Sequence, residues 1–440
     1  MKASPQRFSS NRGSVLVITV CLTFVIGLSL VSYLLLVQSQ NRMVFRSQQW
    51  NLAMAHAEAG VEEALAQLNY KFGTNLIVKS ANGWGGPANG VYGPVSRTLR
   101  SGAYEVTIST DFPSPIIVSK GYATNAISGD VVTRAVEVKV VAVSAFQVGM
   151  AAKLDIDFKG NGVHIDSFDS ADKDHDDPMD PNEVKAGGDV ASTDGFVNVG
   201  NANVNGKIKT GPGGAYSFLA NGWAGPIGWT GPGLYSPEWY QNDFNADFKD
   251  VDPPFDPTFA FPPTPGTAFL PPLNTNHWVL GNGNFYIGAD EALSSKSILV
   301  QGQAILWITG NFKLNANCQI NIADGASLKL YVGEPTGPNV STVLYNVNAA
   351  TNSKAATFQY FGLPTNSELT WGGNNFYKGT VYAPQATFTL GGGGKDDYDY
   401  QGACVVNTVW MNGQFNFHYD EDLKRKDALS SYAAASWKEL

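Results

Sequence analysis

The first fifty residues contain no aspartate or glutamate, and five basic residues give this segment a charge of +5: Lys2, Arg7, Arg12, Arg42 and Arg46. The remainder is acidic, because the formal net charge of the 440-residue chain is −9. Arginine is absent between Arg134 and Arg425. Nucleic-acid binding needs clustered Arg and Lys side chains that displace counterions from phosphates, so the composition excludes nucleic acid as a partner.

Cysteine and histidine are scarce, with three and five residues. The sequence lacks a His-Glu-x-x-His or Cys-x-x-Cys metal motif and a Gly-x-Ser-x-Gly nucleophile elbow, which predicts that the chain is not an enzyme. Cys318 and Cys404 lie far apart along the chain. They are compatible with a disulfide in an oxidising compartment or with two buried thiols.

Charge is also missing from residues 14–40, whose apolar centre runs for 23 residues from Val15 to Val37. At about 1.5 Å per residue, a helix of this length spans the roughly 30 Å hydrocarbon core of a bilayer. The run is too long for a secretory signal and lacks a small-residue cleavage site at its end. Because a short basic leader, residues 1–13, precedes it, we predict a single-pass helix with a cytoplasmic N-terminus.

The helix is expected to continue beyond the membrane, since residues 41–68 contain no proline and are rich in helix formers. One stripe is apolar and comprises Met54, Val61, Leu65 and Leu68. A second stripe is small and comprises Ala53, Ala57, Gly60 and Ala64, which allows another helix to approach closely. We therefore predict one transmembrane and stalk helix over residues 14–70.

This N-terminus resembles that of PilX-like type IV pilus assembly proteins, which are minor pilins related to the K-type pseudopilins of type II secretion. The matching residues are Arg12-Gly13-Ser14-Val15-Leu16-Val17-Ile18, the apolar run, and Ala57-Glu58-Ala59-Gly60-Val61-Glu62-Glu63-Ala64. The resemblance implies cleavage by a prepilin peptidase between Gly13 and Ser14. Most major pilins carry Glu at the fifth position after the cut, where this chain has Ile18. The K-type relatives also lack that acid, so this departure fits a minor subunit.

The exported part is predicted to be β structure. Residues 71–145 contain three strand-like runs and predict a small pilin-like sheet. Residues 146–425 contain short alternating segments punctuated by Gly and Asn, which favour a β-helix or solenoid-like domain, with a β-sandwich as the alternative. The clearest segment, residues 312–332, alternates over some twenty residues and is interpreted as a strand pair with a turn. The fold class is thus mainly β with one long N-terminal α-helix.

Residues 211–272 hold twelve prolines and three tryptophans, and we expect them to be a long insertion that packs along the β domain. Residues 426–440 are assigned to a C-terminal tail. The β-rich half resembles a domain of no settled activity that is often attached to PilX-like N-termini. The matching pieces are Ile165-Asp-Ser-Phe-Asp-Ser170, Thr210-Gly-Pro-Gly-Gly214, Gly379-Thr-Val-Tyr-Ala-Pro384 and Phe417-His-Tyr-Asp-Glu-Asp-Leu423.

One segment has the acidic spacing of a calcium loop. Relative positions 1, 3, 5, 9 and 12 are Asp172, Asp174, Asp176, Asp180 and Glu183. Carboxylates at these positions converge on Ca²⁺ in an EF-hand. Against this, Asp177 occupies the position where the turn needs Gly, so a solvated acidic loop is the alternative, and no other cofactor is indicated.

These features predict a minor pilin-like subunit of a type IV pilus or type II secretion pseudopilus. Its expected partners are the inner membrane, other pilins or pseudopilins, and prepilin peptidase. The β domain would be periplasmic or displayed at the cell surface in a filament. The alternatives are a membrane-anchored adhesin or glycan-binding protein and, less favoured, a β-helical carbohydrate-active enzyme.

Overall fold

The structure is a computed structural model that describes residues 12–69, 83–85, 87–111, 114–124, 129–257, 264–267, 276–294, 297–348, 354–372, 376–392, 399–425 and 430–440. The chain forms two compact units. The first comprises residues 1–67, 78–141 and 434–440, and the second comprises residues 68–77 and 142–433. The predicted fold class, mainly β with one long N-terminal helix, is confirmed.

Helix α1 (Arg12–Leu68) contains 57 residues and is uninterrupted. The side chains of residues 15–36 are all exposed, because no part of the described chain packs against them. By length and composition, α1 is the one helix among the described residues that could cross a membrane. The continuous helix agrees with the predicted extension of the apolar run into a stalk.

The second half of α1 packs on a five-stranded sheet that contains β1 (Val91–Leu99), β2 (Gly102–Ser109), β3 (Ile116–Thr124), β4 (Val131–Ser144) and the last strand of the chain, β31 (Ser430–Glu439). Strands β1 to β4 are antiparallel neighbours. Alternate side chains of β2 and β3 are buried, as expected for a sheet with one covered face.

The small stripe of α1 faces this sheet. Ala53, Ala57 and Ala64 are fully buried, and Gly60 lies against Ser119. A Cβ on Gly121 would lie 2.0 Å from the Ala53 carbonyl oxygen, so the helix and β3 are in backbone contact. The expectation that this stripe serves a second helix is therefore wrong for the isolated chain, because the small residues let its own sheet approach.

Residues 430–439, which the sequence assigned to a tail, form strand β31. The segment contains three consecutive alanines and no β-branched residue, so apart from Tyr432 and Trp437 its composition gives little strand signal. The Leu440 N–H donates to the Ala135 carbonyl of β4. Pairing with an available sheet edge therefore decides the conformation of this segment.

The larger unit consists of short strands and, among the described residues, short 3₁₀ turns at Pro237–Trp239, Ala355–Thr357 and Glu421–Lys424. The strands are β5 (Met150–Ala152), β6 (Ile156–Phe158), β7 (Asn161–Phe168), β8 (Val190–Ser192), β9 (Phe196–Val204), β10 (Ile208–Thr210), β11 (Ala215–Phe218), β12 (Trp223–Ala224), β13 (Gly233–Leu234), β14 (Tyr240–Gln241), β15 (Thr264–Thr267), β16 (Asn276–Leu280), β17 (Gly283–Ile287), β18 (Glu291–Leu293), β19 (Ile298–Val300), β20 (Gln303–Ile308), β21 (Phe312–Leu314), β22 (Gln319–Ile322), β23 (Ser327–Val332), β24 (Val340–Leu344), β25 (Asn346–Val347), β26 (Phe358–Gly362), β27 (Asn366–Gly372), β28 (Tyr377–Gly392), β29 (Asp399–Gly413) and β30 (Asn416–Asp420).

These strands stack as coils of a solenoid-like domain. From β16 to β25, each strand pairs in parallel with the third strand further along the chain. Inward side chains therefore form rows through successive coils. One row runs Phe285, Leu306, Leu330, Tyr360, Val381, Cys404, Met150, Val190, Ile208 and Tyr240.

Coil length varies, which explains why the sequence shows no fixed repeat. Equivalent positions in a second row are Trp278, Ile298, Ile320, Val347, Tyr377 and Tyr400, and the spacing along the chain is different at every step. The alternation in residues 312–332 correctly marks strands, but the predicted strand pair is wrong. Strands β21, β22 and β23 lie on successive sides of the coils and each pairs with strands of neighbouring coils.

The order of the coils in space differs from their order in the chain. Strand β30, near the C-terminal end of the unit, lies between β29 and β7. Strands β5 and β6 pair with later parts of β29, residues 404–406 and 409–411. One coil is therefore completed by two segments, residues 150–158 and 416–420, which come from the beginning and the end of the unit's chain. We call this coil, together with the turns that follow β7 and β30, the seam.

The proline- and tryptophan-rich segment contributes in two ways. Residues 215–241 form short strands β11 to β14 within the coils. Residues 242–257 then run along the outside of the stack, where the Lys249 carbonyl accepts from Tyr382 and Asp250 accepts from Gln385. Further along, the Phe255 and Trp307 rings pack edge to face, with their centroids 5.6 Å apart. This segment therefore crosses several coils while the chain returns toward the end where β16 begins.

We expect the substitution Gly121→Val to destabilise the helix–sheet contact of the first unit by about 3 kcal/mol, because overpacking against backbone cannot be relieved by a rotamer change. Amide hydrogen exchange of the detergent-solubilised chain should accelerate by roughly 100-fold in residues 53–64 and in β3. Lys120→Val, at the neighbouring exposed position of the same strand, is the matched control. Equal exchange in the two variants would contradict the close contact.

Candidate functional site

The predicted cleavage residues and the apolar run lie together at the start of α1. Gly13 and Ser14 fall in its first turn, and Val15 and Val37 bound the apolar run. Leu22, Phe24 and Leu35 are 58%, 67% and 61% exposed. Burying one such side chain is worth about 1.5–3 kcal/mol, so an apolar environment such as lipid would stabilise this surface. Cleavage itself stays a prediction.

A polar cluster that the sequence did not reveal fixes the stalk part of α1 to its sheet. The Glu63 carboxylate accepts from Arg97 Nη2 at 2.7 Å, from Tyr104 Oη at 2.5 Å and from Trp84 Nε1 at 3.3 Å. Burial, together with the neighbouring Glu63 carboxylate, raises the pKa of Tyr104 to about 12, so this phenol stays a donor. Because Glu63 is one of several stalk acids in the sequence, only the fold identifies it as an anchor.

The acidic segment does not assemble as an EF-hand. Asp172 Oδ1 accepts from the Asp174 N–H, Asp180 Oδ1 accepts from Asn182, and Glu183 Oε2 accepts from the Asp177 N–H. Each of these carboxylates thus closes a local turn. In the described ranges, no three His, Cys, Asp or Glu side chains converge as metal ligands. Asp174 and Asp176 are exposed on the surface of the loop. Calcium binding by this segment stays a prediction that calcium titration of the full chain tests.

The disulfide between Cys318 and Cys404 is absent, and both residues are buried free thiols. Cys318 lies two residues before Ile320, and Cys404 lies four residues after Tyr400. Ile320 and Tyr400 are three coil steps apart, or about 14 Å along the stack. A disulfide needs Cα atoms within about 7 Å, so the stacking excludes this pairing. Cys318 Sγ instead donates to the Leu293 carbonyl.

The seam brings together two of the sequence pieces quoted for the resemblance. Strand β7 supplies Asp166 and β30 supplies His418, and these residues are direct partners in the parallel ladder. His418 Nδ1 lies 2.5 Å from Asp166 Oδ1, and His418 Nε2 lies 3.7 Å from Asp399 Oδ1. All three side chains are buried. The other carboxylate oxygen of Asp166, Oδ2, lies 3.3 Å from His164 Nε2.

The electrostatics of this cluster favour a locked ion pair. Burial by itself would lower the pKa of His418, but the charge of Asp166, its hydrogen bond to the imidazole and the nearby Asp399 carboxylate raise it to about 9. Burial would likewise raise the pKa of Asp166, but His418 and His164 hold it below its ordinary value. At neutral pH, His418 is therefore an imidazolium whose two N–H groups both face carboxylates, so it has no basic nitrogen to accept a proton.

Further contacts tie the turns of the seam together. Arg425 Nη2 donates to Asp169 at 2.5 Å, and Lys185 Nζ donates to Glu421 at 2.9 Å. Glu421 also accepts from the Ser167 hydroxyl at 2.9 Å. Sequence patterns missed these ion pairs because the partners are distant in the chain. Lys185 and Glu421, for example, are 236 residues apart.

Comparisons with known proteins give a partial picture. A family profile described as "Domain of unknown function (DUF7305)" matches residues 270–426, about a third of the chain. A search of curated proteins finds no match. A solved structure, the competence-associated pilin ComZ from Thermus thermophilus, is 12% identical, and the match covers 89% of this chain and 97% of that chain with a TM-score of 0.25. A likeness of this degree decides neither fold nor function.

The seam should lose stability at alkaline pH. Folding raises the pKa of His418, so protonated His418 stabilises the folded state. This contribution to the free energy of unfolding is complete below the ordinary pKa of about 6.5 and is lost as pH rises through about 9. We expect His418→Gln to destabilise the larger unit by about 3 kcal/mol at pH 6.5 and by much less at pH 9.5, as measured by urea unfolding. His175→Gln, in the acidic loop of the same unit and outside the cluster, is the control. An equal loss at both pH values would contradict the ion pair.

Proposed function

We propose that this chain is a membrane-anchored, exported structural subunit of the pilin-like class, a minor subunit of a type IV pilus or type II secretion pseudopilus. The observation that carries the proposal is α1 itself. A single helix presents an uncharged, exposed apolar surface over residues 15–36 and then packs its next turns on a small antiparallel sheet. This arrangement lets one rod serve first as a membrane anchor and later as a filament core.

The membrane assignment follows from the exposed surface. The apolar run is long enough to span a bilayer, and the described chain supplies nothing to cover it. The basic leader favours a cytoplasmic N-terminus, which would put the sheet and the solenoid-like unit on the exported side. In a filament, neighbouring helices would replace the lipid around the same surface.

Prepilin peptidase is the proposed processing enzyme, and it would cut between Gly13 and Ser14. Glycine before the cut removes a side chain that would crowd the peptide bond, and the position directly precedes the apolar run. The leader carries the charges that hold the N-terminus in the cytoplasm. Its removal would leave Ser14 as the first residue of the uncharged run, residues 14–40.

A structural role is also favoured over catalysis by the state of the seam. His418 is buried and its Nδ1 is paired with Asp166, so it is poorly placed to act as a general base on a substrate. Buried carboxylates at the seam accept from backbone N–H groups of neighbouring turns, as Asp420 does from Ser170. These groups hold the coil closed.

A second candidate function is glycan binding by one face of the solenoid-like unit, and an exposed tryptophan favours it. Thr370, Thr389, Trp410, Asp157 and Asn198 occupy equivalent positions on neighbouring strands and point away from the core. Trp410 is 43% exposed, whereas the alternate residues of the same strands are buried. An aromatic platform flanked by hydroxyl, carboxylate and amide groups suits a sugar ring.

The proposed processing gives a direct test. The mature protein isolated from membranes should have the mass of a chain that begins at Ser14, and Gly13→Leu should leave the leader attached. Ala3→Leu, a comparable change far from the cut, is the control. An intact leader in the unaltered protein, or a cut near residue 40, would contradict the proposal.

The glycan alternative is tested by co-sedimentation of the full chain with insoluble polysaccharides. If the exposed ring stacks on sugars, Trp410→Ala should lower binding by about tenfold, equivalent to about 1.4 kcal/mol, while Phe196→Ala, another exposed aromatic of this unit, should not. Absence of binding by the unaltered chain to any tested polysaccharide would remove this candidate.

A further inference from the structure

Two arginines of α1 have no partner within the described chain. Arg42 and Arg46 lie five and nine residues beyond the end of the apolar run. Both are exposed, and neither makes a hydrogen bond or an ion pair with the residues that the structure describes. Arg134 of the same unit differs, because its guanidinium donates to Glu439 at 2.7 Å and lies over the Trp50 ring. The two helix arginines can therefore serve a ligand from outside the chain.

The two guanidinium groups line a groove between α1 and the residues that begin β4. The groove belongs to the first unit and has a volume of about 990 Å³. Its polar lining combines two guanidinium groups, three amides and one carboxylate: Arg42, Arg46, Gln38, Asn41, Gln49 and Asp130. Gln49 Oε1 is buried and has no hydrogen-bond partner in the described chain. A ligand that carries both an anion and a hydroxyl donor would satisfy these groups together.

Apolar side chains line the same groove, and they begin at the membrane end. Val37 closes the apolar run, and Gln49 lies about 18 Å further along the helix axis. Leu34, Phe45 and Val131 also line the groove and are 57%, 43% and 56% exposed. The groove is therefore amphipathic and extends from the hydrocarbon boundary into the polar region, as a phospholipid does.

The depth of the arginines matches the headgroup layer. A bilayer is about 30 Å thick in its hydrocarbon core and about 40–45 Å with its headgroups, which leaves roughly 5–7 Å for each headgroup layer. The Cα atoms of Arg42 and Arg46 lie about 7.5 and 13.5 Å beyond Val37. Side chains of a helix point back toward its N-terminus, so both long stems carry their guanidinium groups toward the membrane surface.

We propose that this groove binds the headgroup of an anionic phospholipid, with the phosphate held by Arg42 and Arg46. Guanidinium groups bind phosphate oxygens through paired N–H donors, and two of them one helical turn apart can grip one phosphodiester. The inference rests on the proposed function, because only an anchored chain brings the groove to the bilayer surface. The ligand is the lipid class and its charge, rather than the bilayer in general.

The charge of the lining selects the headgroup. Two guanidinium groups and one carboxylate give the groove an excess of one positive charge. Asp130 already takes part in an interaction within the chain. A headgroup with one phosphate and no amine cancels the excess, whereas a zwitterionic headgroup brings its own ammonium and leaves it uncancelled. The glycerol hydroxyls of phosphatidylglycerol would also supply the donor that Gln49 Oε1 lacks.

A bound headgroup would fix the height of the sheet above the membrane. The apolar run can tilt or shift along the bilayer normal at a cost of only fractions of a kcal/mol per Å, because every residue from 14 to 40 is uncharged. Anchoring residues at the interface decide the position instead. Since the groove has one wall from α1 and one from the start of β4, a lipid in it would contact the helix and the sheet together.

The test measures lipid bound to the full chain after purification in a neutral detergent. Phosphatidylglycerol and phosphatidylcholine are titrated separately, and bound lipid is counted by native mass spectrometry. We expect phosphatidylglycerol to bind at least about tenfold more tightly, and Arg42→Gln with Arg46→Gln to remove this preference. The matched control is Arg100→Gln with Lys120→Gln, which removes the same charge from exposed positions of the same unit and should keep the preference. Hydrogen exchange over residues 53–64 verifies that all variants retain the helix–sheet contact.

Four results would overturn the proposal. The first two are equal binding of the two lipids and an equal loss in both double variants. The third is equally tight binding of phosphatidylethanolamine, which would contradict the argument from charge. The fourth is displacement of the lipid by millimolar inorganic phosphate, which would indicate a site for the free anion. Release of the chain from membranes by alkaline carbonate would refute the proposed function itself, whereas a carbonate-resistant chain without lipid preference would refute the headgroup site alone.

Discussion

Parallel stacking of backbone strands is the constraint on which the larger unit depends. Neighbouring strands lie about 4.8 Å apart, so a residue at one position of a coil rests directly on the equivalent residue of the next. The Tyr377, Tyr400 and Phe417 rings illustrate the effect, with centroids 4.7 and 4.5 Å apart and nearly parallel planes. Stacking at this spacing favours like residues in each row and fixes which side chains can meet. The same geometry that brings His418 to its buried carboxylate keeps the two core thiols apart.

The first unit follows a different rule, because it depends on close approach rather than on repetition. Gly60 and Gly121 remove the side chains that would hold α1 away from β3. Once the two backbones touch, Glu63 reaches Arg97 and Tyr104, and the polar cluster fixes the rotation of the helix about its axis. That rotation decides which stalk residues face the sheet and which face outward. Glu58 and Glu62 face away from the sheet and are exposed.

Sequence patterns predicted the parts of the fold that local chemistry determines. Charge absence located the apolar run, and period-two alternation located strands in residues 312–332. The same patterns could not identify partners, because the coils differ in length and no period connects equivalent positions. The seam illustrates this limit, since Asp166 and His418 are 252 residues apart. Strand β31 shows a second limit, because an alanine-rich segment becomes a strand only where an edge is available.

The seam also has a mechanical consequence. Residues 150–158 and 416–420 belong to one coil in the interior of the stack, so the chain enters and leaves the larger unit beside the same layer. Tension applied through these two connections acts on strands that are flanked by coils on both sides. The load is therefore resisted by many ladder hydrogen bonds and by the buried ion pair at once, rather than by one bond at a time as in peeling from a free end. A stack built this way can be pulled without unravelling from its outermost coils.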